Sequence, residues 1–320
     1  MLRRFVPYAA LFLAALLPLC GCGMSAPQNA FRPQEETPSP SPTATATPSP
    51  SPSPSPSPSP TPSPSPSPTP TPGPPENYTL AFADEFSADG APDETIWDYD
   101  LGAWPYNKEL EYYTKENAWI EDGVLVIEAR AEDAGNRAYT SARLKTEGKF
   151  DFTYGYLEVR AALPTGVGTW SAIWMLPTDK QYGGYLQSGE IDIAERVGYD
   201  AKKIYTTIHT FANNSVQDNA IDGSVRVGRR DEAYHIYGIL WEEDAILISF
   251  DGQEVLRYIR PENSDSTTWP FDVPFHLILN IAVGGSWGGL KGVDDAAFPQ
   301  YMYVDYVRYY QPAAESSVMD

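Results

Sequence analysis

The chain has 320 residues, 43 Asp and Glu against 22 Lys and Arg, and a formal net charge of −21. Such acidity argues against a nucleic-acid partner, because phosphate binding needs a basic face. Both cysteines, Cys20 and Cys22, lie near the N-terminus, so no disulfide braces the rest and the folded part must rely on its own core.

Arg3 and Arg4 precede an apolar run over residues 5–19 that is interrupted by Pro7, Tyr8 and Pro18. The run is too short and too broken for a membrane span and reads as a signal segment. Leu19-Cys20-Gly21-Cys22 resembles a bacterial lipoprotein cleavage signal. We therefore expect a signal peptide over 1–21 and a lipidated first mature residue at Cys22. That predicts a secreted, membrane-anchored lipoprotein exposed outside the cytoplasm.

Residues 22–76 form the lipidated N-terminus and a linker, with 33–75 almost entirely Pro, Ser and Thr. A segment of that composition has no apolar surface to bury and is expected to stay unfolded. As an extended polyproline II spacer it would reach on the order of 130 Å at ~3.1 Å per residue. It would hold the following domain away from the membrane.

Residues 77–312 contain nearly all the aromatic residues and charges and suit one all-β domain, leaving 313–320 as a tail. Strands are expected at 124–130, 154–161, 204–211, 234–241, 245–250, 275–282 and 301–310, where β-branched and aromatic residues concentrate. Asp251-Gly252 between two of these runs signals a hairpin turn. No long stretch has helical periodicity and no repeat is evident. Many short strands separated by turn signals indicate a sandwich or jelly roll.

Within that domain, Glu190-Ile-Asp192-Ile-Ala-Glu195 places three carboxylates in six residues. Side chains alternate across a strand, so Glu190 and Asp192 share one face and Ile191 and Ile193 the other. Strict alternation would put Glu195 with the isoleucines. A β-bulge of one extra residue returns it to the Glu190 face. Three acids on one face of a strand form either a polar edge or a working site, since burying them is costly. Glycoside hydrolysis uses two carboxyl groups, ~5–5.5 Å apart in retaining enzymes, and same-face strand neighbours lie ~5–7 Å apart. Asp192, between them, would hold Glu190 in position and help keep Glu195 protonated.

The aromatic residues favour the working site. Sugars present flat C–H faces that stack on Trp and Tyr, and the chain has 8 Trp and 21 Tyr. Trp170 and Trp174 share a strand face with small Ala172 between them, while Trp104, Trp287, Tyr112 and Tyr113 sit in segments bordered by Gly, Pro or Asn. Core packing alone explains any single one of them.

These segments together resemble the glycoside hydrolase family 16 enzymes, in particular bacterial laminarinase-like endo-β-1,3-glucanases. The resemblance runs over about 78–311 through Asp84-Glu-Phe86, Asn107-Lys-Glu-Leu-Glu-Tyr-Tyr-Thr114, Ser141-Ala-Arg-Leu-Lys-Thr146 and Tyr154-Gly-Tyr-Leu-Glu-Val-Arg160. It continues through 170–177, 189–195, Ile208-His-Thr210, Asn280-Ile-Ala-Val-Gly-Gly285 and Val304-Asp-Tyr-Val-Arg-Tyr-Tyr310. It implies a β-jelly-roll sandwich, concanavalin A-like, of two curved antiparallel sheets with a concave substrate cleft. It also implies a retaining mechanism, with Glu190 as nucleophile, Asp192 as its helper and Glu195 as acid/base.

By the same resemblance Trp170 and Trp174 line the non-reducing side of the cleft. Asn107, Glu109 and Arg143 hold sugar hydroxyls there. His209 lies near the acid/base, and Asn280, Trp287 and Trp104 reach the cleft. The chain departs from the family in having Lys108 where a second Asn is usual and Ser171 where Pro is frequent. The bulged acid spacing favours a laminarinase-type site. Enzymes specialised for mixed-linkage glucan typically lack the extra residue, although agarases and carrageenases also carry it.

Many relatives hold a structural calcium ion, for which Glu85, the Gly123 carbonyl and Asp305 correspond. The same residues could equally pair with arginines. No cofactor is expected for catalysis, since His209, His235 and His276 lack metal-ligand spacing. The expected partner is a β-glucan polysaccharide, and the protein is expected to be a monomer. Alternatives are a mixed-linkage glucanase, a galactanase, a transglycosylase on the same site, or a sugar-binding lipoprotein without activity. A pure binder need not keep all three acids.

Overall fold

The computed structural model describes residues 74–228 and 232–313. The signal peptide, Cys22 and nearly all of the Pro/Ser/Thr linker lie outside the described residues. So does most of the C-terminal tail.

Strands dominate the described chain, together with two single turns of 3₁₀ helix at Gly198–Asp200 and Asp295–Ala297. In chain order the first eight strands are β1 (Tyr78–Asp84), β2 (Asp98–Tyr99), β3 (Glu111–Tyr113), β4 (Ala118–Glu121), β5 (Val124–Ala129), β6 (Tyr139–Ser141), β7 (Arg143–Lys145) and β8 (Asp151–Phe152). Next come β9 (Gly155–Ala162), β10 (Thr169–Pro177), β11 (Glu190–Val197), β12 (Lys203–His209) and β13 (Ile221–Arg226). The last five are β14 (His235–Trp241), β15 (Ala245–Phe250), β16 (Gln253–Ile259), β17 (Phe275–Val283) and β18 (Gln300–Pro312). All seven runs expected from the sequence are strands, within two residues at each end.

Two antiparallel sheets of eight strands form the sandwich. One runs β16-β15-β14-β9-β18-β5-β4, with β1 beside β18. The other runs β13-β12-β11-β10-β17-β7-β2, with β8 beside β17. A short parallel pair, β3 with β6, is an addition to the two expected sheets. Asp251 and Gly252 both take positive φ, 47° and 73°, and join β15 to β16 as the hairpin turn that this pair favours.

The core lies between the sheets. Ile191, Ile193 and Ala194 from one side meet a layer that includes Leu157, Val159, Ile239 and Val307 from the other, all 2% exposed or less. Burying each of the Leu, Ile and Val side chains contributes roughly 1.5–3 kcal/mol. Aromatic rings fill one end of the sandwich. Trp241 packs edge-on against Phe152 at 6.0 Å and Phe275 at 5.3 Å between centroids.

Candidate active site

Gly189 leads the chain into β11. Its φ of +84° is left-handed, and a Cβ there would lie 2.8 Å from the Phe271 ring and 2.9 Å from Pro270, so glycine is required at the entrance. Cross-strand register then sets the site. Against β12, Glu190 faces His209 and Asp192 faces Thr207, but Glu195 faces Tyr205, so three steps on β11 match two on β12. The extra residue is the expected bulge, and the register against β10 also shifts there. Ile193 and Ala194 both turn into the core, at 2% and 0% exposure, and Glu195 joins Glu190 and Asp192 on the opposite face.

Register also builds a row across five strands. Tyr205, Glu195, Ala172, Asn280 and Arg143 stand opposite one another in turn from β12 to β7. Such a row projects side chains on one face. The face opens into a cleft of about 340 Å³. Its lining includes Trp104, Asn107, Glu109, Arg143, Trp170 and Trp174, and also Asn280 and the three acids. Ten of the twelve catalytic and sugar-binding candidates are therefore brought together.

The polar contacts form two groups. Trp170 Nε1 donates to Glu195 Oε1 at 2.9 Å. His209 Nε2 lies 3.1 Å from Asp192 Oδ2 and 3.8 Å from Glu190 Oε1. Farther along, Trp174 Nε1 donates to Asn280 Oδ1 at 2.9 Å, and Asn280 Nδ2 donates to the Tyr113 hydroxyl at 3.2 Å. The Arg143 guanidinium lies over both Trp104 and Trp174, 5.0 and 4.7 Å from their ring centroids, and its Nε is 3.0 Å from Asp100 Oδ2. Cation–π contact and an ion pair thus hold both rings and Arg143 in place.

His209 touches Asp192 and Glu190 and reaches Glu195 through its charge, because antiparallel register puts it opposite Glu190 while Tyr205 takes the place opposite Glu195. Trp287 does not line the cleft. It packs edge-on against Trp170 at 5.4 Å and against Tyr205 at 5.0 Å, so it props the Trp170 ring from the side.

Of the two pairings open to the residues named for calcium, the structure has the one with arginines. Both Glu85 oxygens accept from Arg308, at 2.7 and 2.9 Å, and Asp305 Oδ2 accepts from Arg160 at 2.5 Å. Gly123, with Asp122, forms the tight turn between β4 and β5. Guanidinium groups thus hold carboxylate oxygens that a cation would otherwise use.

The cleft also takes in residues that the sequence did not single out. Tyr106, Lys180 and Tyr185 reach it from loops, and the Tyr185 hydroxyl lies 3.5 Å from Glu190 Oε1. Loop residues carry no periodic signal, so only the fold brings them here.

Burial acts on all three acids in the same direction. Burial raises all three carboxyls, at 8%, 4% and 8% exposure for Glu190, Asp192 and Glu195. It pushes Asp192 up to about 8. Glu195 is also pushed up to about 8, by burial and then by the charge of Asp192, with the Trp170 N–H pulling the other way. Glu190 is raised well above the usual carboxylate range by burial and by Asp192, while His209 and Arg143 oppose the rise. Protons on Asp192 and Glu195 remove their repulsion from Glu190. All three carboxyls are shifted the same way, so it is the geometry, two carboxyls on one face with Asp192 between them, that suits acid-assisted nucleophilic attack.

Similarity to known proteins agrees with this chemistry. The family model described as Glycosyl hydrolases family 16 matches residues 107–308. A beta-glucanase of Rhodothermus marinus is 46% identical over 245 residues, covering 73% of this chain and 86% of the relative. The X-ray structure of the laminarinase from Rhodothermus marinus superposes with a TM-score of 0.71 at 47% identity, covering 73% of this chain and 97% of that one. SCLam, a non-specific endo-beta-1,3(4)-glucanase, superposes with a TM-score of 0.71 at 44% identity, covering 76% and 94%. The chain therefore belongs to glycosyl hydrolases family 16.

Proposed function

We propose that the protein is a retaining endo-β-glucanase that hydrolyses internal β-1,3-glucosidic bonds of laminarin-type glucans. The observation that carries this reading is the bulged β11, which aligns Glu190, Asp192 and Glu195 beneath a Trp-lined cleft. In the first step Glu195 gives its proton to the glycosidic oxygen while a Glu190 oxygen attacks the anomeric carbon. The aglycone leaves as an alcohol and the sugar becomes an ester of Glu190. Glu195, now a carboxylate, takes a proton from water as that water attacks the same carbon, which frees Glu190. Asp192, protonated and beside His209, steadies Glu190. Trp170 and Trp174 supply stacking faces, and Asn107, Glu109, Arg143 and Asn280 supply hydroxyl partners.

Cleavage of mixed-linkage β-1,3-1,4-glucan is the second reading, supported by the non-specific β-1,3(4) activity in the description of SCLam. A lipid on Cys22 and the Pro/Ser/Thr linker would tether this domain to a membrane outside the cytoplasm. The support for that lies in the order of basic start, apolar run and Leu19-Cys20-Gly21-Cys22.

The test is release of reducing ends from laminarin, lichenan, agarose and carrageenan by the purified protein. Release from laminarin is expected, and activity confined to lichenan or to a galactan would overturn the substrate assignment.

A further inference from the structure

Glu111 is fully buried on β3, at 0% exposure, yet it takes no part in the steps above. Its Oε2 accepts from the Val283 backbone N–H at 2.6 Å. Its Oε1 is buried and receives no hydrogen bond from a donor among the described residues. What stands within hydrogen-bonding reach is another carboxyl, that of Glu109, which lines the substrate cleft and accepts from Asn107 Nδ2 at 3.1 Å. Two ionised carboxylates cannot face each other in a dry site. A single proton between them turns two acceptors into a donor and an acceptor.

We propose that Glu111 and Glu109 share one proton, and that Glu111 is a positioning residue holding Glu109 in the cleft as an acceptor for sugar hydroxyls. Glu111 then donates through Oε1 and accepts through Oε2, which satisfies both buried oxygens. Each Glu109 oxygen can accept more than one hydrogen bond, so Glu109 keeps lone pairs for the substrate. Burial and the charge of Glu109 push Glu111 up to about 8, which agrees with a proton retained at neutral pH.

The titratable groups around Glu111 are few. Glu109 lies on the preceding loop. Tyr113 lies on the same strand, with Arg143 of β7 acting on Tyr113 from beyond. Tyr139, opposite Glu111 in the parallel pair, donates a hydrogen bond from its hydroxyl to Asp295 Oδ1. No cation near Glu111 competes for the role of the shared proton among these groups. The part played by Glu109 rests on the glucanase reading, whereas the shared proton does not.

The experiment compares the full chain with Glu111→Gln and Glu111→Leu. Gln can donate its amide N–H to Glu109 while its carbonyl accepts from Val283. On laminarin, Glu111→Gln should leave KM and kcat within about twofold of the parent at neutral pH, and Glu111→Leu should raise KM about tenfold with kcat little changed. Above about pH 8 the parent KM should rise as the shared proton is lost, and the Glu111→Gln KM should rise less.

Infrared difference spectra of parent and Glu111→Gln report the proton itself, without turnover and without the Leu variant having to fold. A carboxylic-acid carbonyl band at neutral pH that vanishes in Glu111→Gln is expected. Absence of that band, or a KM unchanged in Glu111→Leu, would overturn the proposal. A parent that leaves laminarin intact while showing the band would instead overturn the glucanase reading and keep the shared proton.

Discussion

Trp170 and Glu195 are joined by a 2.9 Å hydrogen bond from the indole N–H to Oε1. The indole that lines the cleft thus also gives its N–H to Glu195. The bond favours the ionised form of Glu195, against burial and the charge of Asp192. Trp170→Phe keeps an aromatic face and removes the donor. The Glu195 carboxyl should then hold its proton to higher pH, moving the alkaline limb of kcat upward by about one pH unit, the scale of one hydrogen bond to a charged group. A pH–rate profile on laminarin checks this, and an alkaline limb that stays or moves down would refute it.

Glu190→Gln should lower kcat on the order of 10⁴- to 10⁶-fold, the loss seen when a nucleophile that works with its partners is removed. Oligosaccharide binding, read by calorimetry, should survive, because the Trp faces and Arg143 are untouched. A companion variant, Glu195→Ala, should regain turnover with azide, since a small anion attacks the glycosyl ester without general-base help. The product to look for is a β-glycosyl azide.

The buried acids should set the stability profile with pH. Asp192 has a folded-state value of about 8, above its ordinary value near ~3.9. A raised carboxyl binds its proton more tightly in the folded state. Its stabilising contribution is full below the unfolded value and is lost as pH rises through the folded one. Thermal melting of the parent should therefore fall between about pH 4 and about pH 8. Asp192→Asn should flatten that decline while reducing turnover.

Asn107 and Lys108 take consecutive left-handed conformations, with φ of 52° and 59°. Asn tolerates that region better than most residues, and Lys does not share the advantage. Lys108 is exposed, so replacing it removes no packing. Lys108→Asn should stabilise the protein by about 0.5–1 kcal/mol, seen as a higher midpoint in chemical denaturation with an unchanged slope.

The strand runs and the acid face were legible in the sequence because their causes are local. Alternation with period two places Glu190 with Asp192, and one extra residue is the only way to bring Glu195 beside them, as the Asp192/Thr207 and Glu195/Tyr205 pairs confirm. Asp251-Gly252 likewise carried its own turn. The resemblance supplied the cleft aromatics, and Trp170, Trp174 and Trp104 are all there.

Other features depend on which strands become neighbours, and only the tertiary structure decided them. His209 meets Asp192 because β12 pairs with β11 in one register, and Trp287 props Trp170 because a distant loop packs there. Glu85 and Asp305 lie far in sequence from the arginines that take them, Arg308 and Arg160. The Glu109–Glu111 pair shows the same division. Their spacing is plain in the sequence, but the acid at 111 needs a proton only because Val283 and the strands around it exclude water. Side-chain direction follows from the backbone period, whereas desolvation and partner choice follow from long-range packing.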